Sequence, residues 1–149
     1  MATQAIYYRG SDGSEPVAEF LDEEFPLEPR KKHPTDDEVA AAARKRATLD
    51  LQIDRLNGLP KDAPPLPFPH SSQVDGALRE LRCHYGNQLV RSLYRRSDNL
   101  FVLLHALRKS GQKVPRADIE IAKERWHDFK ARMDADPRKP PRATGDDAP

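Results

Sequence analysis

Arginine is the residue whose placement in this chain invites a chemical reading. Between Ala77 and Arg116 stand nine lysines and arginines against two acids, whereas the first 60 residues carry eight basic against twelve acidic side chains. The whole chain nets only +1, so the charge is polarised along the sequence rather than large. Most of the basic block is arginine, whose planar guanidinium grips phosphate oxygens in pairs as lysine cannot. Interleaved with it are His84, Tyr85, Tyr94 and His105. That set suits cleavage of an RNA phosphodiester without a metal. A base takes the proton of the ribose 2′-OH, cations stabilise the phosphorane, and an acid protonates the leaving 5′-oxygen. Arginines supply the electrostatic part, and a histidine, a tyrosine or a lysine the proton transfer. DNA lacks the internal nucleophile, so the 2′-OH selects RNA.

Other chemistries find no motif. There is no P-loop, no glycine-rich dinucleotide turn, no His-Glu-x-x-His and no serine nucleophile elbow. His33, His70, His84, His105 and His127 lack metal-ligand spacing, and the single cysteine, Cys83, excludes an intrachain disulfide and a Cys-based zinc cluster. No metal and no cofactor are expected. The apolar run Leu100 to Leu104 is far too short to span a membrane, and no secretory signal is visible, so a cytoplasmic protein with no membrane partner is expected.

The elements that must position these residues can be read from period and punctuation. Ile6-Tyr7-Tyr8 reads as a short strand ended by Gly10-Ser11-Asp12-Gly13. Ser14 as N-cap and Pro16 in the first turn open a helix with Val17, Phe20, Leu21 and Phe25 at helical spacing. Thr35 with Asp36, Asp37 and Glu38 caps a second helix over about 37–57, with Ala42, Leu49, Ile53 and Leu56 as its buried stripe. The two should pack as a hairpin. Five prolines between Pro60 and Pro69 make 60–70 an extended, partly stiff loop. Three strands follow, Ala77–Cys83, Gln88–Arg95 and Asn99–Leu107, with connections too short for anything but an antiparallel meander. Ile119, Ala122, Trp126, Phe129 and Met133 then mark one face of a C-terminal helix. The expected protein is α+β: a small antiparallel sheet, made of the N-terminal strand and the meander, with an N-terminal helical hairpin and a C-terminal helix. One domain is expected over 1–133, with a disordered tail over 134–149.

The order of elements resembles that of RelE-type toxins. Leu78-Arg79-Glu80-Leu81-Arg82, Val90-Arg91-Ser92-Leu93-Tyr94 and the segment from Leu103 to Pro115 are similar to motifs of the HigB-like, phage-derived branch of that superfamily. The resemblance covers about residues 4–133 and is densest from Gly76 to Arg125. It implies the toxin of a type II toxin–antitoxin system: an mRNA endoribonuclease, ribosome-dependent or free, that inhibits translation. The implied partners are mRNA, on or off the ribosome, and a HigA-like helix-turn-helix antitoxin. By position it puts Arg82, Arg91, Arg108 and Lys109 in the catalytic set.

Each candidate also has a plainer role. Tyr94 and His105 join the catalytic candidates: Tyr94 serves the site, stacking on a base, or closes the core, and His105 is either catalytic or a satisfied core histidine. Glu80 is an acid, a base, or the ion-pair partner of Arg79 or Arg91. Arg79, Gln112 and Lys113 are expected to bind RNA, while Arg95 and Arg96 either track its backbone or are solvent charges. Two rival functions use the same scaffold: a non-catalytic RNA- or ribosome-binding module, and a phage or prophage protein-interaction protein.

Overall fold

A computed structural model describes residues 2–108 and 113–135. In chain order come β1 (Gln4–Tyr7), α1 (Pro16–Glu24), α2 (Asp36–Ile53), β2 (Ser71–Asp75), β3 (Leu78–Tyr85), β4 (Gln88–Ser97), β5 (Leu100–Leu107) and α3 (Arg116–Ala135). A 3-10 turn, Asp54–Leu56, ends α2. The expected α+β architecture stands, on a five-stranded sheet ordered β1-β5-β4-β3-β2.

The meander β3-β4-β5 is antiparallel, and both of its turns are two residues long. Gly86 and Asp98 take positive φ of 59° and 56° there, a region open to glycine and tolerated by aspartate. Two strands depart from expectation. β1 runs parallel to β5, so the sheet is mixed: the long intervening chain lets the first strand enter beside the last. β2, in a stretch that the sequence reading assigns to no element, pairs antiparallel with β3 as an edge strand. Ser71-Ser72-Gln73-Val74-Asp75 has little intrinsic β preference, and pairing with β3 overrides it.

The sheet is covered on both sides. On one side Val17, Leu21 and Phe25 of α1 and its C-cap, with Leu49 and Ile53 of α2, pack on Leu81, Cys83, Val90, Tyr94 and Leu103. On the other, Ala122, Trp126 and Phe129 of α3 pack on Ile6, Leu93, Val102 and Leu104. That α3 stripe is the one its spacing predicts. The expected helical hairpin is looser than a hairpin. α1 lies on β5 and α2 on β3, and Arg46 ties them by donating to Asp22 at 2.8 Å and to the Phe25 carbonyl at 3.3 Å. Burial opposes the charge on Arg46, but Asp22 and Asp50 outweigh it and raise its pKa.

Local signals explain the helix ends. Thr35 and Glu38 form a reciprocal capping box: the Glu38 N–H donates to Thr35 Oγ1 and the Thr35 N–H to Glu38 Oε1. At α1 the N-cap is Glu15, not Ser14, because the Ser14 N–H and hydroxyl both donate to Asp12 within the preceding turn. Gln52 pins α2 to β3, donating to the His84 carbonyl at 2.6 Å and accepting from the His84 N–H at 2.7 Å.

One irregularity affects the site. Across β4 and β5, Leu93 faces His105 and Tyr94 faces Leu103, so Leu104 is an extra residue, a bulge. Helix α3 continues through residue 135, beyond the expected start of the tail, and the disorder expected for 136–149 lies outside the described residues. Among the described residues no helix is long and apolar enough to cross a membrane.

Candidate functional site

Side chains alternate along a strand, so each face of the sheet receives every second residue. On the α3 side, β3 presents Leu78, Glu80, Arg82 and His84, and β4 presents Arg91, Leu93 and Arg95. Arg82 and Arg91 are direct cross-strand neighbours. Like charges so placed repel, and here a carboxylate offsets the repulsion. Arg82 Nη1 donates to Glu80 Oε1 at 3.1 Å, and Arg91 Nε lies 3.6 Å from Glu80 Oε2. Ser72 of β2 donates to Glu80 Oε1 at 3.0 Å. Glu80 and Arg91 are buried, with residue exposures of 4% and 2%, while the Arg82 side chain keeps 17% of its surface. Arg82 Nε is buried and makes no hydrogen bond. Two guanidiniums on one carboxylate leave a net positive cluster, with Arg82 as its accessible member.

Beside the cluster lies a groove of about 400 Å³, lined by Glu80, Ser72 and Gln73 on the sheet, by Lys113 ahead of α3 and by Ile119 in its first turn. Lys113, expected to bind RNA, lines this groove.

The remaining expected residues do not converge there. Arg79 has the opposite parity to Arg82 and lies on the other face, donating to Ser71 Oγ at 3.2 Å and to the Leu66 carbonyl at 3.0 Å. Glu80 therefore pairs with Arg91 and Arg82, not with Arg79. Tyr94 shares that other face. It is 2% exposed, its hydroxyl is 2.7 Å from Ser71 Oγ, and its ring meets Phe101 edge-on. Arg79, Tyr94, Arg96 and the loop around Pro64-Pro65-Leu66 line a cavity of about 270 Å³ of their own.

Arg95 and Arg96 also part. Arg95 lies over Trp126 at 4.4 Å from the ring centroid, on the α3 side. Arg96 lies over Phe101 and donates to the Asp98 and Lys61 carbonyls. Neither is a free solvent charge. Arg108 turns to α1, where it pairs with Glu24 at 3.0 Å and stacks on Phe25.

His105 faces α3 with both ring nitrogens engaged. Nε2 is 2.7 Å from Asp118 Oδ1, and Nδ1 is 3.3 Å from Arg125 Nη1, which also donates to the Leu104 carbonyl. That is a satisfied histidine holding α3 to β5. Lys109 and Gln112 lie outside the described residues. Burial pushes the Cys83 thiol up to about 12, which makes it a small apolar side chain at neutral pH. Among the described residues no three His, Cys, Asp or Glu side chains gather as metal ligands.

Sequence reasoning missed two features. His84 belongs to β3 rather than to a turn, and its ring is exposed on the face of Arg82. Phe68 stands beside Arg82, with the guanidinium 5.2 Å from its ring centroid. The signal for His84 was its even spacing from Glu80 and Arg82.

A mixed sheet between two helical layers, with paired arginines gathered on one carboxylate, defines a small α+β protein of RelE-like architecture. The chain belongs to the phage-derived family described as phage derived protein Gp49-like (DUF891), which matches residues 40–127. That family is related to the RelE/HigB-like toxins. The matched segment holds α2 from Ala40, all of β2–β5, and α3 as far as His127, and with them the whole Glu80 cluster. No curated protein matches the chain.

Proposed function

We propose that this protein is the toxin of a type II toxin–antitoxin system and acts as a metal-independent mRNA endoribonuclease. The observation that carries the reading is the pair Arg82–Arg91, facing each other across β3 and β4 with Glu80 between them, where Glu80 also lines a groove shared with Lys113. Family membership supports it. Arg82 offers a guanidinium to the scissile phosphate through the 17% of its side-chain surface that stays exposed. Glu80 fixes the direction of that guanidinium, and Arg91 balances the carboxylate from behind. Their preorganisation is the electrostatic part of catalysis, since the donors are in place before charge develops. The nucleophile is the ribose 2′-OH of the substrate. For proton transfer the reading uses His84, whose exposed ring follows Arg82 on the same face. Tyr94 and His105 drop out of the catalytic set, the first buried on the opposite face and the second tied to Asp118 and Arg125.

The partners in this reading are mRNA, free or on the ribosome, and a helix-turn-helix antitoxin. Primer extension on a cellular transcript, with purified protein in a chelator, tests the activity. Wild type should give discrete new 5′ ends, and Arg82→Ala should lower the rate by about 10²–10³-fold, as loss of one preorganised donor does. Absence of cleavage by the wild type, with or without ribosomes, refutes the nuclease. The internal engagement of both Tyr94 and His105 favours one second reading, an RNA- or ribosome-binding module without catalysis. It requires salt-sensitive RNA affinity that survives His84→Gln, with transcripts left intact.

A further inference from the structure

Among the described residues Phe68 is the one aromatic side chain left mostly in solvent, at 70% exposure. Tyr7, Tyr8, Phe25, Tyr94, Trp126 and Phe129 are buried, and Phe20, Tyr85 and Phe101 pack on the core. An exposed phenyl ring gains nothing from the fold, yet this one is held in place. Pro67 and Pro69 flank it and restrict its backbone. The loop is then tied down at once: the His70 N–H donates to the Pro67 carbonyl, and the Arg82 N–H donates to the His70 carbonyl at 2.8 Å. The ring is thereby presented next to the side chain of Arg82, its guanidinium 5.2 Å from the ring centroid, while Arg55 Nη1 meets His70 Nδ1 at 2.9 Å further along the loop.

An aromatic face beside a guanidinium on a strand edge is how proteins hold single-stranded nucleic acid. Cations follow the phosphates, and each base offers a flat surface for stacking. We propose that Phe68 forms a nucleobase subsite, on which the base adjoining the Arg82-bound phosphate stacks. The inference rests on the RNA reading above and adds the group that positions the strand. Order in the loop lowers the entropic cost of binding, because the ring need not be immobilised by the ligand. A hydrophobic anchor for a protein partner would need no guanidinium against the ring, so Arg82 favours a base.

The test is fluorescence anisotropy of a labelled, non-cleavable single-stranded oligonucleotide, 2′-O-methylated RNA, with the full chain. Phe68→Ala should weaken binding roughly ten-fold or more, and Phe68→Trp should restore it. Exposure of the side chain means that thermal melting should be unchanged in both. A series carrying one abasic position should show a loss at one register in the wild type and none in Phe68→Ala. Wild-type binding that Arg82→Ala abolishes but Phe68→Ala leaves intact overturns the subsite alone and returns Phe68 to the role of a protein anchor. A wild type without affinity for the oligonucleotide overturns the subsite and the RNA reading together.

Discussion

The two faces of the sheet use arginine differently. On the α3 side, Arg82 and Arg91 gather on a buried carboxylate, and the Arg82 side chain keeps part of its surface exposed. On the α1/α2 side, Arg79 and Arg96 donate to main-chain carbonyls of the proline-rich loop, and Arg108 holds an exposed carboxylate on α1. A guanidinium that satisfies a loop carbonyl is part of the fold, because no helix or strand pairs that carbonyl. A guanidinium shared with another around one carboxylate is a charge store whose balance a bound anion can complete. In the proposed reading, chemistry and architecture are divided between opposite surfaces of one sheet.

The contrast is sharpest for the two carboxylates. Glu80→Ala should destabilise the fold by about 3–5 kcal/mol in urea unfolding, because it strands a buried positive charge. Glu24→Ala, which frees the half-exposed Arg108, should cost under about 1 kcal/mol. Equal costs would erase the distinction. Next in size is Arg79→Met, expected to lose about 1–3 kcal/mol by orphaning the Leu66 carbonyl while RNA affinity holds. Arg82→Met should lower RNA affinity and its salt dependence, so a reversed pattern would exchange the roles of the faces.

Alkaline pH probes one group on each face. Cys83, on the α1/α2 side, rises from 9.0 to about 12 through burial, and Tyr8, on the α3 side, from 10.0 to about 12 through burial and its hydrogen bond to Asp128. Both raised values mean that the folded state holds its protons longer. Their contributions are complete below about pH 9 and are lost as pH climbs towards 12. Melting temperature should therefore fall above pH 9, and Cys83→Ala should flatten the first part of that fall. The smallest effect is ionic. Raising salt should weaken the Arg108–Glu24 pair, seen as a reduced double-mutant coupling, and leave the buried cluster nearly unaltered.

Much of this was legible beforehand. The capping box at Thr35, the three meander strands and the α3 stripe all announce themselves through local spacing. β2 does not, because its polar residues become a strand only by pairing with β3. The parallel entry of β1 depends on a partner nearly a hundred residues away, which no local pattern encodes. For the site, parity alone separates Arg79 from Arg82 and pairs Arg82 with Glu80. The engagement of His105 by Asp118 and Arg125 needed the docking of α3, and the isolation of Tyr94 needed Ser71 to be placed against it.

The bulge at Leu104 decides where the third arginine emerges. Through Leu103 the odd-numbered residues of β5 face α1, but after the extra residue Ala106 takes that side and Leu107 joins the α3 core. Arg108 follows Ala106 in register and surfaces beside Glu24. In an uninterrupted strand the same residue would come out on the flank occupied by Arg91, making a cationic trio. A single surplus residue thus works as a railway point, sending one guanidinium down the other track.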